Sequence, residues 1–378
     1  MRGGSGAYAY VGGYWCTGLA DLTDDPSCLD SRGFWVVVAE FTLAGNASPG
    51  SAPAGSAGSR VFARFDRVRR APRPAPAGPW YGPPPGDWSS SLGRREYLAG
   101  VAAIRRYIEA GEVYQANLCR VLSAPLAAPR EGSAGGGQPG GDLLGLADRL
   151  ATGNPAPYAA VVELPVAGVR LVCASPELYL RRTGEMVESS PIKGTGRTAA
   201  DLLAKDLAEN VMIVDLVRND LSRVAATGGV SVPSLLQVQP HPGLVHLVST
   251  VRARLRTGVG WPELLAASFP PGSVTGAPKL AALAIIGALE PVPRGPYCGA
   301  VGYVDADRRT GVLAVAIRTF WIAGDRIHFG TGAGITWGSD PAAEWAETQL
   351  KAANLVRLAS AGPGVARPDT PLWTAVRG

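Results

Sequence analysis

The chain has 378 residues, 46% of them hydrophobic and 18% charged, with 36 basic against 31 acidic side chains. That composition is globular and long enough for one large domain or two ordinary ones, and it excludes a disordered or fibrous chain. The net charge of +5 comes from scattered arginines with no dense run, which argues against nucleic acid and suits a small anionic substrate.

Five cysteines, at positions 16, 28, 119, 173 and 298, are odd in number and form no CxxC pair. They point away from a disulfide framework or a zinc site and toward a reducing cytosol. No run reaches the ~20 apolar residues of a membrane span, and no basic segment leads an apolar one at the start. A soluble, cytoplasmic protein is the expectation.

In chain order, residues 1–15 read as the end of a strand and a turn. Residues 34–43 are β-rich and should pair with 60–68, where Val61, Ala63 and Phe65 alternate; the Gly- and Ser-rich stretch 45–59 is a loop tip. Residues 69–88 form a polyproline-like connector, or else a ligand for a partner domain. A helix is predicted over 91–110, because Tyr97, Val101, Ile104 and Ile108 share one face and Gly111 supplies the stop. Residues 113–122 alternate as a strand with Gln115 and Asn117 on one face, and 125–142 is a surface insertion. A short helix at 144–150 precedes two strands within 158–180. Strands near 229–240 and 244–255, helices at 261–267 and 276–289, a meander of strands at 297–305, 311–322 and 325–330 and a last helix at 341–360 complete the chain. Strand runs with helices between hairpins give an α+β class. The organisation reads as N-terminal strands and linker at 1–88, a main domain at 89–360 and a tail at 361–378.

Residues 188–219 carry the densest chemistry. Lys193 sits in a Pro-Ile-Lys-Gly-Thr turn, on constrained backbone where an amine is either a solvated charge or one aimed at a ligand. The helical pattern that follows bears Glu209, set among Ala208, Val211 and Met212, where an unpaired carboxylate is costly. A solvated helix face is the plainer alternative. Glu347 and Lys351, four apart, read on their own as a surface pair. Carboxylates without neighbouring His or Cys suit Mg²⁺. The GTGAGI segment at 330–335 fails the G-x-G-x-x-G spacing, so it is a tight turn or a backbone nest for an anion. Glu177 alone is a turn residue at a strand end, and His246 among aliphatics is a core histidine.

Ten separated words alter that reading. They are YQANL (114–118), ASPELYL (174–180), PIKGT (191–195), AENVMIVDLVRNDLSRVA (208–225), HLVSTV (246–251), SVTGAPK (273–279), GYV (302–304), IRT (317–319), GTGAGI (330–335) and ETQLK (347–351). In this order, over residues 94–358, the chain resembles the chorismate-utilising enzymes, the family of anthranilate synthase component I, aminodeoxychorismate synthase component I and the isochorismate and salicylate synthases. The resemblance implies a β-sandwich core flanked by helices. Longer members begin with further strands, so the chain looks short at its start.

The resemblance also implies roles. Glu209 and Glu347 would hold Mg²⁺ against the ring carboxylate of chorismate, with Lys351 assisting. Gly332, Ala333 and Gly334, with Tyr303 and Arg318, would bind the enolpyruvyl carboxylate, a task for which arginine's planar fork is suited. Glu177 would protonate the departing 4-hydroxyl, which needs burial to raise its pKa. His246, Thr275 and Gly276 would line the ring pocket, beside Gly194 and Thr195 of PIKGT.

Two positions divide the family. Gln115 stands where the isochorismate and salicylate synthases have a water-activating lysine, and Lys193 where anthranilate synthases have alanine. A lysine in PIKGT marks the aminodeoxychorismate synthases, where it resembles a covalent nucleophile. An ordinary lysine is neutral roughly once in 2,500 molecules at pH 7, so the role requires a depressed pKa. The implied reaction is amination of chorismate to 4-amino-4-deoxychorismate with ammonia from a separate glutaminase subunit. An anthranilate or 2-amino-2-deoxyisochorismate synthase component is the alternative, and a non-catalytic chorismate-binding subunit a third.

Overall fold

Alternating β-branched and aromatic runs along this chain build strands, many of which pair with their neighbour in a hairpin on one side and with a strand far away in sequence on the other. The computed structural model describes residues 6–43, 60–127, 139–196, 198–202, 204–241 and 244–360. The predicted loop tip at 45–59, residues 128–138 of the insertion and the tail at 361–378 lie outside them. The strands are β1 (Tyr8–Val11), β2 (Tyr14–Thr23), β3 (Phe34–Ala39), β4 (Arg60–Arg70), β5 (Ser89–Ser90), β6 (Gln115–Pro125), β7 (Tyr158–Leu164), β8 (Val169–Ser175) and β9 (Leu178–Thr183). There follow β10 (Met186–Ser190), β11 (Ile192–Gly196), β12 (Ala225–His241), β13 (Leu244–Leu255), β14 (Gly276–Ala277), β15 (Ala300–Asp305), β16 (Thr310–Val315), β17 (Thr319–Ala323) and β18 (Arg326–Ile335). The helices are α1 (Arg94–Glu109), α2 (Leu143–Gly153), α3 (Ala204–Ser222), α4 (Trp261–Ser268), α5 (Lys279–Leu289) and α6 (Pro341–Ser360).

All pairings are antiparallel. From β12 the ladder runs through β13, β10, β9, β16, β15, β3, β4, β2, β1, β7, β8, β17 and β18 to β6, with β11 also on β13 and β14 and β5 on β6. The expected pairing of 34–43 with 60–68 is present, with Phe34 opposite Phe65 and Ala39 opposite Arg60. The sheet curls over on itself, so that Val36, Val301 and Ala314 meet Val162, Leu171 and Cys173 across an inner apolar core. Helices α3 and α4 cover one outer face through Ile213, Leu221 and Leu264 against Trp35, Val37 and Leu313. Helices α2 and α6 cover the other through Leu146, Leu150, Leu355 and Val356 against Val172, Phe320 and Ile327. The α+β class with a large antiparallel sheet and flanking helices is thus present.

Three expectations need revision. The helix expected from 276 begins at Lys279, because Pro278 has no N–H for a helix interior and Gly276 and Ala277 pair instead with β6. The meander strand expected over 311–322 is two strands, broken at Arg318, whose φ of 52° is left-handed. The proline-rich segment is packed and is no free connector. Its Trp80 and Trp88 are buried and donate from Nε1 to Ala359 O at 2.7 Å and Ser360 Oγ at 2.8 Å, strapping the end of α6.

The strap tolerates no side chain at Gly82, where a Cβ would collide with the carbonyl of Ala359, whereas a Cβ at Gly86 meets nothing within 4 Å. Gly82→Ala is expected to destabilise the fold by about 1–3 kcal/mol in a urea titration, as overpacking does, and Gly86→Ala to leave the midpoint within error. Equal midpoints for the two variants would show that the strap is loosely held.

Candidate active site

Burial of opposite charges close together defines the site. Glu177 lies at the corner between β8 and β9 and is 4% exposed. Its N–H donates to Ser175 Oγ at 3.1 Å, which fixes the corner. Burial pushes its carboxyl up to about 7, against the opposing pull of the Ser273 hydroxyl, the Lys193 amine, the Ile192 N–H and the Arg318 guanidinium. Lys193, in β11, keeps some accessible surface, but its amine is held below the usual lysine range by desolvation. Glu209, Glu177 and Glu347 pull that pKa back up, and Lys351 pushes it further down. Four of the predicted charged residues therefore gather around one amine. Arg318 is half-buried, and desolvation lowers its pKa while Glu177 raises it. Its Nη1 donates to Asn154 Oδ1 at 3.5 Å.

Local structure explains the aim of each group. Gly194 has φ 89°, and a Cβ there would press to 2.9 Å from Asp206 Cβ in the first turn of α3, so glycine lets the lysine strand approach that helix. Asn210, fully buried, pins α3 to β13: its Nδ2 donates to Leu247 O at 3.1 Å and its Oδ1 accepts from Ser249 Oγ at 2.5 Å. That bond pair sets the rotation of the helix and so where Glu209 faces. On α6, Lys351 Nζ lies 2.7 Å from Glu347 Oε1 and donates to Gly332 O at 3.3 Å. The pair is half exposed, as an i, i+4 surface pair would be, yet it leans on the glycine strand.

The glycine strand supplies an open face. A Cβ on Gly334 would collide with Gln115 Nε2, and one on Gly332 would come within 2.5 Å of Cys119 Sγ. Gln115 is 0% exposed, and among the described residues neither of its side-chain amide atoms has a hydrogen-bond partner. An unpaired buried amide is costly, and it leaves a donor and an acceptor available to a polar ligand. Asn117, two residues on, donates from Nδ2 to Ser273 O at 3.0 Å and so ties this strand to the loop beside Glu177. His246 is buried on β13, opposite Thr195 of the lysine strand, whose side chain lies outside the described residues.

Not every predicted residue joins. Tyr303 does not: along β15, Ala300 and Val304 face the helices, so Val301 and Tyr303 point the other way, into the inner core. Its ring stacks on Phe34 with centroids 5.0 Å apart and covers Gly12. Ala333 is likewise turned away, its methyl among Val101, Leu118 and Ile285 between α1 and α5. Only the backbone of Ala333 shares the glycine face. Thr275 spends its hydroxyl on Pro271 O and Gly272 O, at 3.3 and 3.2 Å, and Gly276 is glycine because a Cβ would strike β6. Asn210 and Lys279 were missed as positioning groups. Their sequence signal is their place inside AENVMIVDLVRNDLSRVA and SVTGAPK.

Among the described residues no three His, Cys, Asp or Glu cluster as metal ligands. Glu209 and Glu347, both close enough to act on the Lys193 amine, would offer a two-carboxylate, all-oxygen donor set. Such a set fits Mg²⁺, which keeps several waters and takes one or two carboxylates plus ligand oxygens.

A curled antiparallel sheet thus brings a buried acid, a desolvated lysine and an arginine together. The profile of the chorismate binding enzymes matches residues 56–357, and the chain belongs to that family. It is 39% identical over 282 residues to an anthranilate synthase component 1 of Haloarcula marismortui, covering 71% of this chain and 54% of that one. To an aminodeoxychorismate synthase component 1 of Salmonella typhimurium it is 36% identical over 273 residues, covering 69% and 57%. The chain thus spans a little over half the length of these curated relatives. A putative 2,3-dihydroxybenzoate-specific isochorismate synthase from Bacillus anthracis has the same fold, with a TM-score of 0.72 at 21% identity over 93% of this chain and 95% of that one.

Glu177 is expected to lose its proton near pH 7 in the free protein. The infrared carbonyl band missing from Glu177→Gln should fade as pH rises through that value. A carboxyl already ionised at pH 5 would contradict the burial described above.

Proposed function

We propose that this chain is the ammonia-using component of a chorismate-aminating synthase that makes 4-amino-4-deoxychorismate. The observation that carries the reading is the desolvated Lys193 amine facing the buried, protonatable Glu177. The lysine nitrogen bonds to ring carbon 2 while the carbon 4–oxygen bond breaks and the ring double bonds shift. The oxygen leaves as water with the proton of Glu177. Ammonia then bonds to carbon 4, the double bonds shift back and the carbon 2–nitrogen bond breaks, returning Lys193 as an amine. Desolvation serves both partners, since it keeps the acid protonated and makes a neutral amine accessible.

Arg318 and the backbone of Gly332 to Gly334 orient the enolpyruvyl carboxylate. Gln115 offers no base to a water, which favours ammonia over hydroxylation. Glu209 and Glu347 would hold Mg²⁺, which when bound neutralises the ring carboxylate. A separate glutaminase subunit supplies the ammonia. Anthranilate formation is the second reading, because a relative of that name is as similar as one named for aminodeoxychorismate.

Incubation with chorismate, Mg²⁺ and ammonium is expected to yield 4-amino-4-deoxychorismate by mass spectrometry. Enzyme quenched without ammonia should carry an adduct on Lys193. Lys193→Arg keeps the charge but not the nucleophile and should be inactive. Anthranilate as sole product, or an active arginine variant without an adduct, would overturn the covalent reading. Separately, Glu209→Gln and Glu347→Gln are each expected to cut Mg²⁺-dependent turnover by at least roughly tenfold to a hundredfold with far-ultraviolet circular dichroism unchanged. Full activity at ordinary Mg²⁺ in either variant would remove that residue from the metal set.

A further inference from the structure

Lys279 opens α5 and lies outside the group around Lys193. All three of its N–H donors are used: on Asp220 Oδ2 at 2.6 Å, Ser268 O at 2.8 Å and Pro270 O at 2.9 Å. A lysine saturated in this way has nothing to offer a ligand. It does join three pieces of chain, namely the end of α3 through Asp220, the end of α4 through Ser268 and the following turn through Pro270. They converge on a cavity lined by Glu177, Ser189, Asp220, Ser268 and Ser273, with room for one water-sized molecule.

The turn held there leads straight to Ser273, which lines the same cavity as Glu177 and whose hydroxyl draws the pKa of that carboxyl down, and Ser268 Oγ meets Tyr179 OH at 2.7 Å two residues beyond Glu177. The same turn gives Ser273 O and Thr275 O to Asn117. We infer that the Lys279–Asp220 pair is a positioning element that holds Ser273 against Glu177 and thereby sets the acid strength of Glu177. This rests on the general-acid reading of Glu177.

Charge energetics point the same way. Burial pushes Asp220 up to about 6 and Lys279 down, each opposed by its partner. A buried pair recovers little more than its desolvation cost, so geometry is the better account of its presence. The charged groups facing Glu177 are Lys193 and Arg318, and those facing Asp220 are Lys279 and Arg223.

The test is the pH profile of kcat/KM with chorismate and ammonium, whose falling limb in the unmodified enzyme should lie near 7. Ser273→Ala removes a donor that favours the ionised acid, so the limb should move up by about one pH unit. Lys279→Met should move it the same way, and the double variant no further than either single one. Lys279→Arg, which keeps the ion pair but not a three-point ammonium, should give a smaller shift of the same sign. A limb unmoved in a folded arginine or methionine variant overturns the inference. So does a double variant whose shifts add, since that would mean the lysine acts only by its charge. Activity retained in Glu177→Gln would overturn the general-acid reading itself, and the inference with it.

Discussion

The site depends on the removal of one carboxyl and one amine from water. Left in solvent, Glu177 would be ionised and Lys193 protonated at neutral pH, and the two would form an inert ion pair. Desolvated at the β8–β9 corner and on β11, each is pushed toward its neutral form, and each restrains the shift of the other. The curled sheet supplies the dry wall behind Glu177. Helix α3 and the 268–275 turn supply the second wall, and their own polar needs are met by Asn210 and Lys279.

The remaining charged groups come from elements with no sequence relation to that pair. Glu209 arrives on α3, Glu347 and Lys351 on α6, and Arg318 at the break between β16 and β17. Arg318 pays for its aim with a left-handed backbone, a conformation disfavoured for a side-chain-bearing residue and one that recurs at functional positions. The tryptophan strap closes on the last turn of α6 and limits how far that helix can drift from the glycine strand.

Much of this was legible in the residues. Alternation located β3, β4 and β6, the 3.6-residue spacing located α1, and the motif words located the charged centre. Failures have particular causes. Tyr303 was misplaced because a motif word gives proximity in sequence, while the period of two in a strand sends neighbours to opposite faces. The strap at 71–88 was hidden because proline content suggests a spacer, and nothing local states that Trp80 and Trp88 have acceptors some 270 residues away, on α6. The roles of Asn210 and Lys279 depend on what lies opposite them, which only the assembled sheet and helices reveal.

The ladder has a consequence for how the molecule comes into being. β8 waits for β17 and β6 waits for β18, so two early strands hold bare edges until the chain has reached residue 335. Glu177 and Lys193 leave the ribosome long before the strands that dry them. A nascent chain stalled in that interval presents unpaired strand edges to every neighbour. Pairing over such separations is also slow, because loop closure comes before any contact repays it. The protein is thus most exposed to self-association during its own synthesis, and it acquires its chemistry only when its last fifth is in place.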